Sequence, residues 1–253
     1  MHGRGYQTSS FGPPLTPPIV QQLMIANLVV FVLQLAVPGV SEFGPVRPYY
    51  MWQAGHLWEP FSYMWLHAGL GHLAMNMFAL WMFGSQLALA WGPRKFVNFY
   101  LFCGIGAGFV IASWPYLIMN LSPEALLVPT VGASGAIYGV LLAYSLTWPD
   151  RVIALIFPPI TFRAIWLIPG LFVMTLMFGG GGISHIGHLG GVLMAWLYLR
   201  RKGHAGAQSL SLGHLKYRWK RYRMRQKLRS VQYEKHEARR RHRGGGDDDH
   251  RVH

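Results

Sequence analysis

Long apolar runs broken by short clusters of proline, glycine and charge set the rhythm of the chain. The first run, about Ile19 to Val37, is long enough to cross the roughly 30 Å hydrocarbon core of a bilayer as a helix rising about 1.5 Å per residue. A proline-rich loop from Pro38 to about Ser62 carries Tyr49, Tyr50, Trp52 and Trp58, aromatics that suit a membrane interface. A second run, about His72 to Trp91, stops at Gly92-Pro93-Arg94-Lys95, and a third, about Phe96 to Met119, holds Gly104, Gly106 and Gly108 for close helix packing. The fourth is short, from about Ser134 to Trp148-Pro149-Asp150. The fifth, about Ala164 to Phe178, contains Pro169-Gly170 and is expected to kink there. Gly179 to Gly182 then link it to a sixth run, about Ser184 to Leu199.

Composition strengthens the membrane reading, because 52% of the 253 residues are hydrophobic and only 13% charged. An ordinary soluble domain carries about twice that share of charge. The net charge of +14 is uneven: sixteen of the 23 Lys and Arg follow residue 200, with five of the nine acids. Six spans put both termini on one side, and Arg94, Lys95, Arg151, Arg163 and Arg200 mark that side as cytoplasmic. Residues 1–18 read as a disordered lead-in without a signal peptide, residues 19–200 as a six-helix domain, and residues 201–253 as a basic cytoplasmic tail. The tail is expected to meet anionic lipid headgroups rather than nucleic acid. Within it Leu215, Trp219 and Tyr222 recur at helical spacing, as in a surface-lying amphipathic helix, although a merely solvated tail fits the same residues. Cys103 is the one cysteine, so no intrachain disulfide can form, and a packed thiol is expected.

Candidate chemistry gathers at the outward ends of spans two, four and six. There lie His67, His72 and Asn76, then Ser134, then His185 and His188. Ser134 opens an apolar run between Ala133 and Gly135, and Tyr138 shares its helical face. Ser134 is sixteen residues from Asp150 and His188 twelve from Arg200, which puts both roughly 18 to 24 Å above the cytoplasmic boundary, below the outer surface. Polar groups at such depth face a bundle interior or a watery cavity. Gly135 and Gly139 on span four, with Gly187 and Gly191 on span six, form two G-x-x-x-G pairs that let backbones approach closely. That approach would bring an imidazole within reach of the Ser134 hydroxyl as a general base. His72 and Asn76, one helical turn apart, can donate hydrogen bonds to an oxyanion. No Asp or Glu lies within a span, so the constellation is a Ser-His dyad without an acidic third member.

Three segments, H-A-G-L-G-H-L-A-M-N (67–76), G-A-S-G-A-I-Y-G (132–139) and H-L-G-G (188–191), resemble in order and spacing the signature regions of the rhomboid intramembrane serine proteases. The resemblance covers roughly residues 19–200. It implies an all-α, six-transmembrane-helix rhomboid-like bundle and a serine endopeptidase that cuts peptide bonds in or near transmembrane segments of other membrane proteins. It implies Ser134 as nucleophile and His188 rather than His185 as base, since Gly191 follows His188 by three residues. Asn76, His72 and the Ser134 backbone N–H would be oxyanion donors, Tyr138 would pack on the His188 ring, and His67 would support the site. Where some members carry Trp-Arg in the first loop, this chain reads Trp58-Glu59, so no role of that arginine carries over.

Three other readings compete. The histidines could hold a metal, but no carboxylate or thiolate joins them and Ser134 would then have no use. A transporter would show paired halves, which are not apparent. A catalytically inactive rhomboid-like protein that binds transmembrane helices is expected to lack the serine or the histidine. The protease needs no cofactor or metal. Its expected partners are transmembrane protein substrates and the lipid bilayer, with no nucleic acid, and its expected location is a bacterial inner membrane. The fifth span and Gly179 to Gly182 are candidates for a moving gate.

Overall fold

The computed structural model describes residues 12–117, 123–154, 160–178 and 185–201. Helices α1 (Pro18–Ala36), α2 (Pro38–Phe43), α3 (Pro48–Trp52) and α4 (Glu59–Ser62) lead through a 3-10 turn at Tyr63–Trp65 into α5 (Leu70–Ala79). A π turn at Leu80–Gly84 joins α5 to α6 (Ser85–Trp91). Then come α7 (Pro93–Leu117), α8 (Ser134–Thr147), strands β1 (Val152–Ala154) and β2 (Thr161–Arg163), α9 (Leu167–Phe178) and α10 (His185–Arg201). The tetraglycine link Gly179–Gly182, residues 1–11 and the basic tail with Leu215, Trp219 and Tyr222 lie outside the described residues.

Among the described residues three stretches are long and apolar enough to cross a membrane: Pro18–Ala36, Leu70–Trp91 and Pro93–Leu117. The helices Ser134–Thr147 and Ala164–Met177 are apolar but shorter. Burial explains how α8 can be short. Every residue from Gly135 to Leu146 is buried, so α8 is enclosed by protein and its ends need not reach both headgroup layers. By contrast α1 leaves Ile25, Leu28, Val29 and Val32 exposed, an apolar face that only lipid can cover without cost. The chain is thus a helical integral membrane protein.

Four local features differ from the pattern read along the chain. The loop after α1 folds into α2, α3 and α4, each with proline at one of its first two positions, where the missing N–H has no helical partner to lose. The second span contains a π turn, within which the Trp81 indole donates to Thr16 Oγ1 at 2.9 Å and ties the segment before α1 to the bundle. Between α8 and α9 the chain forms a hairpin, pairing Val152 with Arg163 and Ala154 with Thr161. Pro169, where a kink is expected, lies close to a change of helix type. A 3-10 turn at Ala164–Trp166 precedes α9, and Pro169 falls in its first turn, where proline is tolerated.

The core is a contact of small residues among α7, α8 and α10. A Cβ at Gly135 would lie 2.6 Å from Ala107 Cβ and 3.3 Å from the Gly187 carbonyl, and one at Gly139 would lie 2.7 Å from Cys103 Sγ. A Cβ at Gly190 would lie 3.1 Å from Ala107 Cα, and one at Gly191 would overlap the Gly135 carbonyl oxygen. In lipid such packing stabilises helix pairs by dispersion alone, since both alternatives are apolar. One end of the bundle carries cations over rings: Lys95 lies 4.8 Å from the Trp91 ring, Arg151 4.7 Å from Trp148 and Arg200 5.1 Å from Trp196.

These contacts order the glycines by cost. Gly191→Val should lower the thermal midpoint in detergent micelles most, by ~3 kcal/mol of stability or more, because the Gly135 backbone cannot step aside. Gly71→Ala, with nothing within 4 Å of the new methyl, should change stability by less than ~1 kcal/mol. Equal midpoints for the two variants would show that α8 and α10 do not depend on this contact.

Candidate active site

The loop that enters α8 is shaped by Gly132. Its φ of 129 lies where side chains strain the backbone, and its N–H donates to the Tyr63 carbonyl at 2.9 Å. A Cβ there would meet His72 Cε1 at 2.6 Å and Nε2 at 2.9 Å, with Ser134 Oγ 3.7 Å away. The His72 imidazole and the Ser134 hydroxyl therefore face the same small volume above the Gly132 backbone. His72 Nδ1 accepts from the Ala68 N–H at 3.4 Å, which leaves the proton of a neutral ring on Nε2, the nitrogen turned toward that volume. Asn76, buried one turn further along α5, donates through Nδ2 to the His72 carbonyl at 3.1 Å.

Ser134 is the first residue of α8, is half-buried, and follows Ala133, which supplies no side-chain cap. The first N–H groups of the helix, at the positive end of its dipole, are thus free to meet an anion. From α10, His188 comes in buried and stacked on Tyr138, with centroids 4.0 Å apart and planes 10° from parallel. Tyr138 is one turn along α8 from Ser134, so the ring that fixes the imidazole shares a helical face with the hydroxyl. His188 Nδ1 is buried without a hydrogen-bond partner, and the ring is oriented by Tyr138 rather than by an acid. Among the described residues no hydrogen bond joins Ser134 Oγ to His188. Catalytic hydrogen bonds commonly tighten only once substrate is bound.

The remaining sequence candidates lie at the margin. His185 is edge-on to His188 at 6.4 Å and 6.2 Å from the Phe172 ring. His67 is fully buried and edge-on to His72 at 5.2 Å. Burial pushes His67 down to about 4, with repulsion from His72 second, so it backs His72 as a neutral ring. Among the described residues no three His, Cys, Asp or Glu side chains gather as a metal would need.

The comparisons with known proteins come down on one family. A model of the Rhomboid domain matches residues 54–202, more than half of the chain. The chain belongs to the rhomboid family. It is 34% identical over 139 residues to "Rhomboid protein 1, mitochondrial" of Saccharomyces cerevisiae, a match covering 52% of this chain and 38% of that protein. It is 32% identical over 142 residues to the human "Presenilin-associated rhomboid-like protein, mitochondrial", covering 53% and 35%. To "Rhomboid protease GluP" of Bacillus subtilis it is 31% identical over 170 residues, covering 62% and 29%. This rhomboid therefore matches well under half the length of each of these relatives. Two of the three are mitochondrial by name, so kinship does not support the bacterial inner membrane expected from sequence. An integral membrane protein is what stands, since the residues of the bundle answer to a bilayer and not to its compartment.

Three residues that support this rhomboid's site escaped sequence reading. Gln34 of α1 donates to the His67 carbonyl at 2.9 Å and accepts from the His67 N–H at 3.0 Å. A polar side chain within an apolar span is the signal that could have found it. Tyr63, fully buried, donates to the Gly104 carbonyl at 2.7 Å while its own carbonyl holds Gly132. Nothing in the sequence distinguishes it from the surrounding aromatics. Glu59, at the departure from Trp-Arg, turns inward and accepts from the Arg47 backbone N–H at 2.8 Å. Replacing Gln34 by Leu removes both bonds to His67 and should cost ~1–3 kcal/mol, read as a lower midpoint of unfolding in micelles. A wild-type midpoint would show that the entry to α5 is held some other way.

Proposed function

We propose that this rhomboid is an intramembrane serine endopeptidase whose bundle crosses the membrane six times, with Ser134 and His188 as its catalytic dyad. The observation that carries this reading is the parallel stack of His188 on Tyr138, a residue one turn along α8 from Ser134. In the proposed reaction Ser134 Oγ attacks the scissile carbonyl and passes its proton to His188. The Ser134 backbone N–H, His72 Nε2–H and the Asn76 amide stabilise the resulting oxyanion. His188 then protonates the leaving amine, and water, activated by the same imidazole, releases the acyl group from Ser134. No carboxylate takes part.

The substrates proposed are transmembrane segments of other membrane proteins that can unwind locally, because a helical peptide bond is shielded from attack. Helix α9 suits a gate. Past Leu167, residues 168–177 are not buried, and Val173, Met174, Leu176 and Met177 point outward, so it can move with little loss of packing. Under this reading both termini lie on the side marked by Arg94, Lys95, Arg151 and Arg200, residues 19–200 form the protease domain, and the basic tail rests on anionic headgroups.

A serine-directed fluorophosphonate should label the wild-type protein in membranes and fail to label Ser134→Ala. Ser134→Ala and His188→Ala should each lower cleavage of a reconstituted transmembrane substrate by ~10³-fold or more while remaining folded. His185→Ala should keep substantial activity. An unlabelled wild type would favour the reading of an inactive helix-binding rhomboid, and loss of activity only in His185→Ala would assign the base to the other histidine.

A further inference from the structure

We propose that Glu59 is a positioning residue: its carboxylate closes the first loop into a clamp that holds the backbone leading into Ser134. The inference deepens the protease reading and rests on it for its catalytic consequence.

The chain of contacts starts at a carboxylate with no exposed surface. Glu59 Oε2 accepts from the Arg47 N–H at 2.8 Å and Oε1 lies 3.3 Å from His56 Nδ1. His56 is itself sandwiched between Tyr50, at 5.3 Å, and Trp58, at 4.4 Å. One carboxylate thus joins two points of the loop, residues 47 and 56, to the start of α4. Arg47 is adjacent to Val46, and Val46 pairs with Thr130 through two backbone hydrogen bonds, Val46 N–H to Thr130 at 3.0 Å and Thr130 N–H to Val46 at 2.9 Å. Two residues on, the Gly132 N–H reaches the carbonyl of Tyr63, which lies one turn beyond Glu59. Residues 130 and 132 therefore hang from the two ends of a segment that Glu59 ties together. Ser134 follows two residues after Gly132.

The clamp is firm on its far side. Pro60 sits where a Cβ at Gly108 of α7 would come within 2.8 Å of its backbone, and the Tyr63 hydroxyl is bonded to Gly104 of the same helix. Without the carboxylate, the Arg47 N–H loses a buried, charge-assisted acceptor, and the Val46–Thr130 pair loses its fixed end. Glutamine keeps an oxygen at the same reach and can accept the same N–H. Leucine cannot, and aspartate falls one methylene short.

Amide hydrogen exchange on the full chain in micelles tests this. In Glu59→Leu the Thr130 and Gly132 amides should exchange about tenfold faster or more, while Ile137 in α8 stays at the wild-type rate. Glu59→Gln should return both to within about twofold, and Glu59→Asp, the milder change if leucine prevents folding, should fall between. Unchanged exchange at Thr130 and Gly132, or an equal rise at Ile137, would overturn the clamp, the latter by showing general loosening. With a cleavable substrate, kcat should fall about tenfold in Glu59→Leu with KM within about twofold, and recover in Glu59→Gln. Faster exchange with an unchanged kcat would remove the positioning role. If the wild type is neither labelled by fluorophosphonate nor cleaves, the protease reading fails, and the exchange rates still decide the clamp.

Discussion

The structure depends on the bare contact between α8 and α10, where the Gly135 carbonyl occupies the space that any side chain at Gly191 would need. In a bilayer the hydrophobic effect cannot drive this approach, because lipid solvates leucine as well as protein does. Shape has to do it. Glycine on both faces lets the backbones close, and Ala107 of α7 fills the remaining angle against Gly135 and Gly190. That closeness is also what delivers the imidazole of His188 to the face of α8 that carries Tyr138 and Ser134. Packing and candidate chemistry are two results of one constraint.

Around that contact several polar groups are held by hydrogen bonds to residues far away in the chain. Gln34 reaches from α1 to pin His67 by its backbone, Ala68 fixes the tautomer of His72, and Tyr63 ties the first loop to α7 and to Gly132. The Gln34 and Tyr63 bonds are partly or wholly buried, so leaving them unmade would be costly. His188 is instead held by its stack on Tyr138, with Nδ1 left unbonded. The outcome is a volume above Gly132 that is lined with donors and needs no charge of its own.

The location of the protein shows how far family membership reaches. A Rhomboid domain match and relatives from yeast, human and a bacterium fix the kind of membrane protein, while their names divide between mitochondrion and bacterium. The bundle's surface is apolar in α1 and exposed in α9, and neither face carries a sign of which bilayer surrounds it.

The sequence alone determined the order of the apolar segments and which polar residues lie at their ends, because each is a local property. Apolar length sets a crossing, glycine spacing sets a close-packing face, and serine, histidine and asparagine are costly enough in an apolar run to stand out. It also placed the close approach of α8 and α10, since G-x-x-x-G on two helices admits few other partners. Its departures were local too: the segment read as a proline-rich loop holds short helices that begin at or next to its prolines, and Pro169 sits where a helix begins. What only the tertiary structure decided were the contacts between residues far apart in the chain. Gln34 with His67, Val46 with Thr130, Tyr63 with Gly132 and Glu59 with Arg47 leave no periodic trace, because a hydrogen bond to backbone asks nothing of the partner's side chain. Such bonds orient the groups whose presence the sequence had already declared.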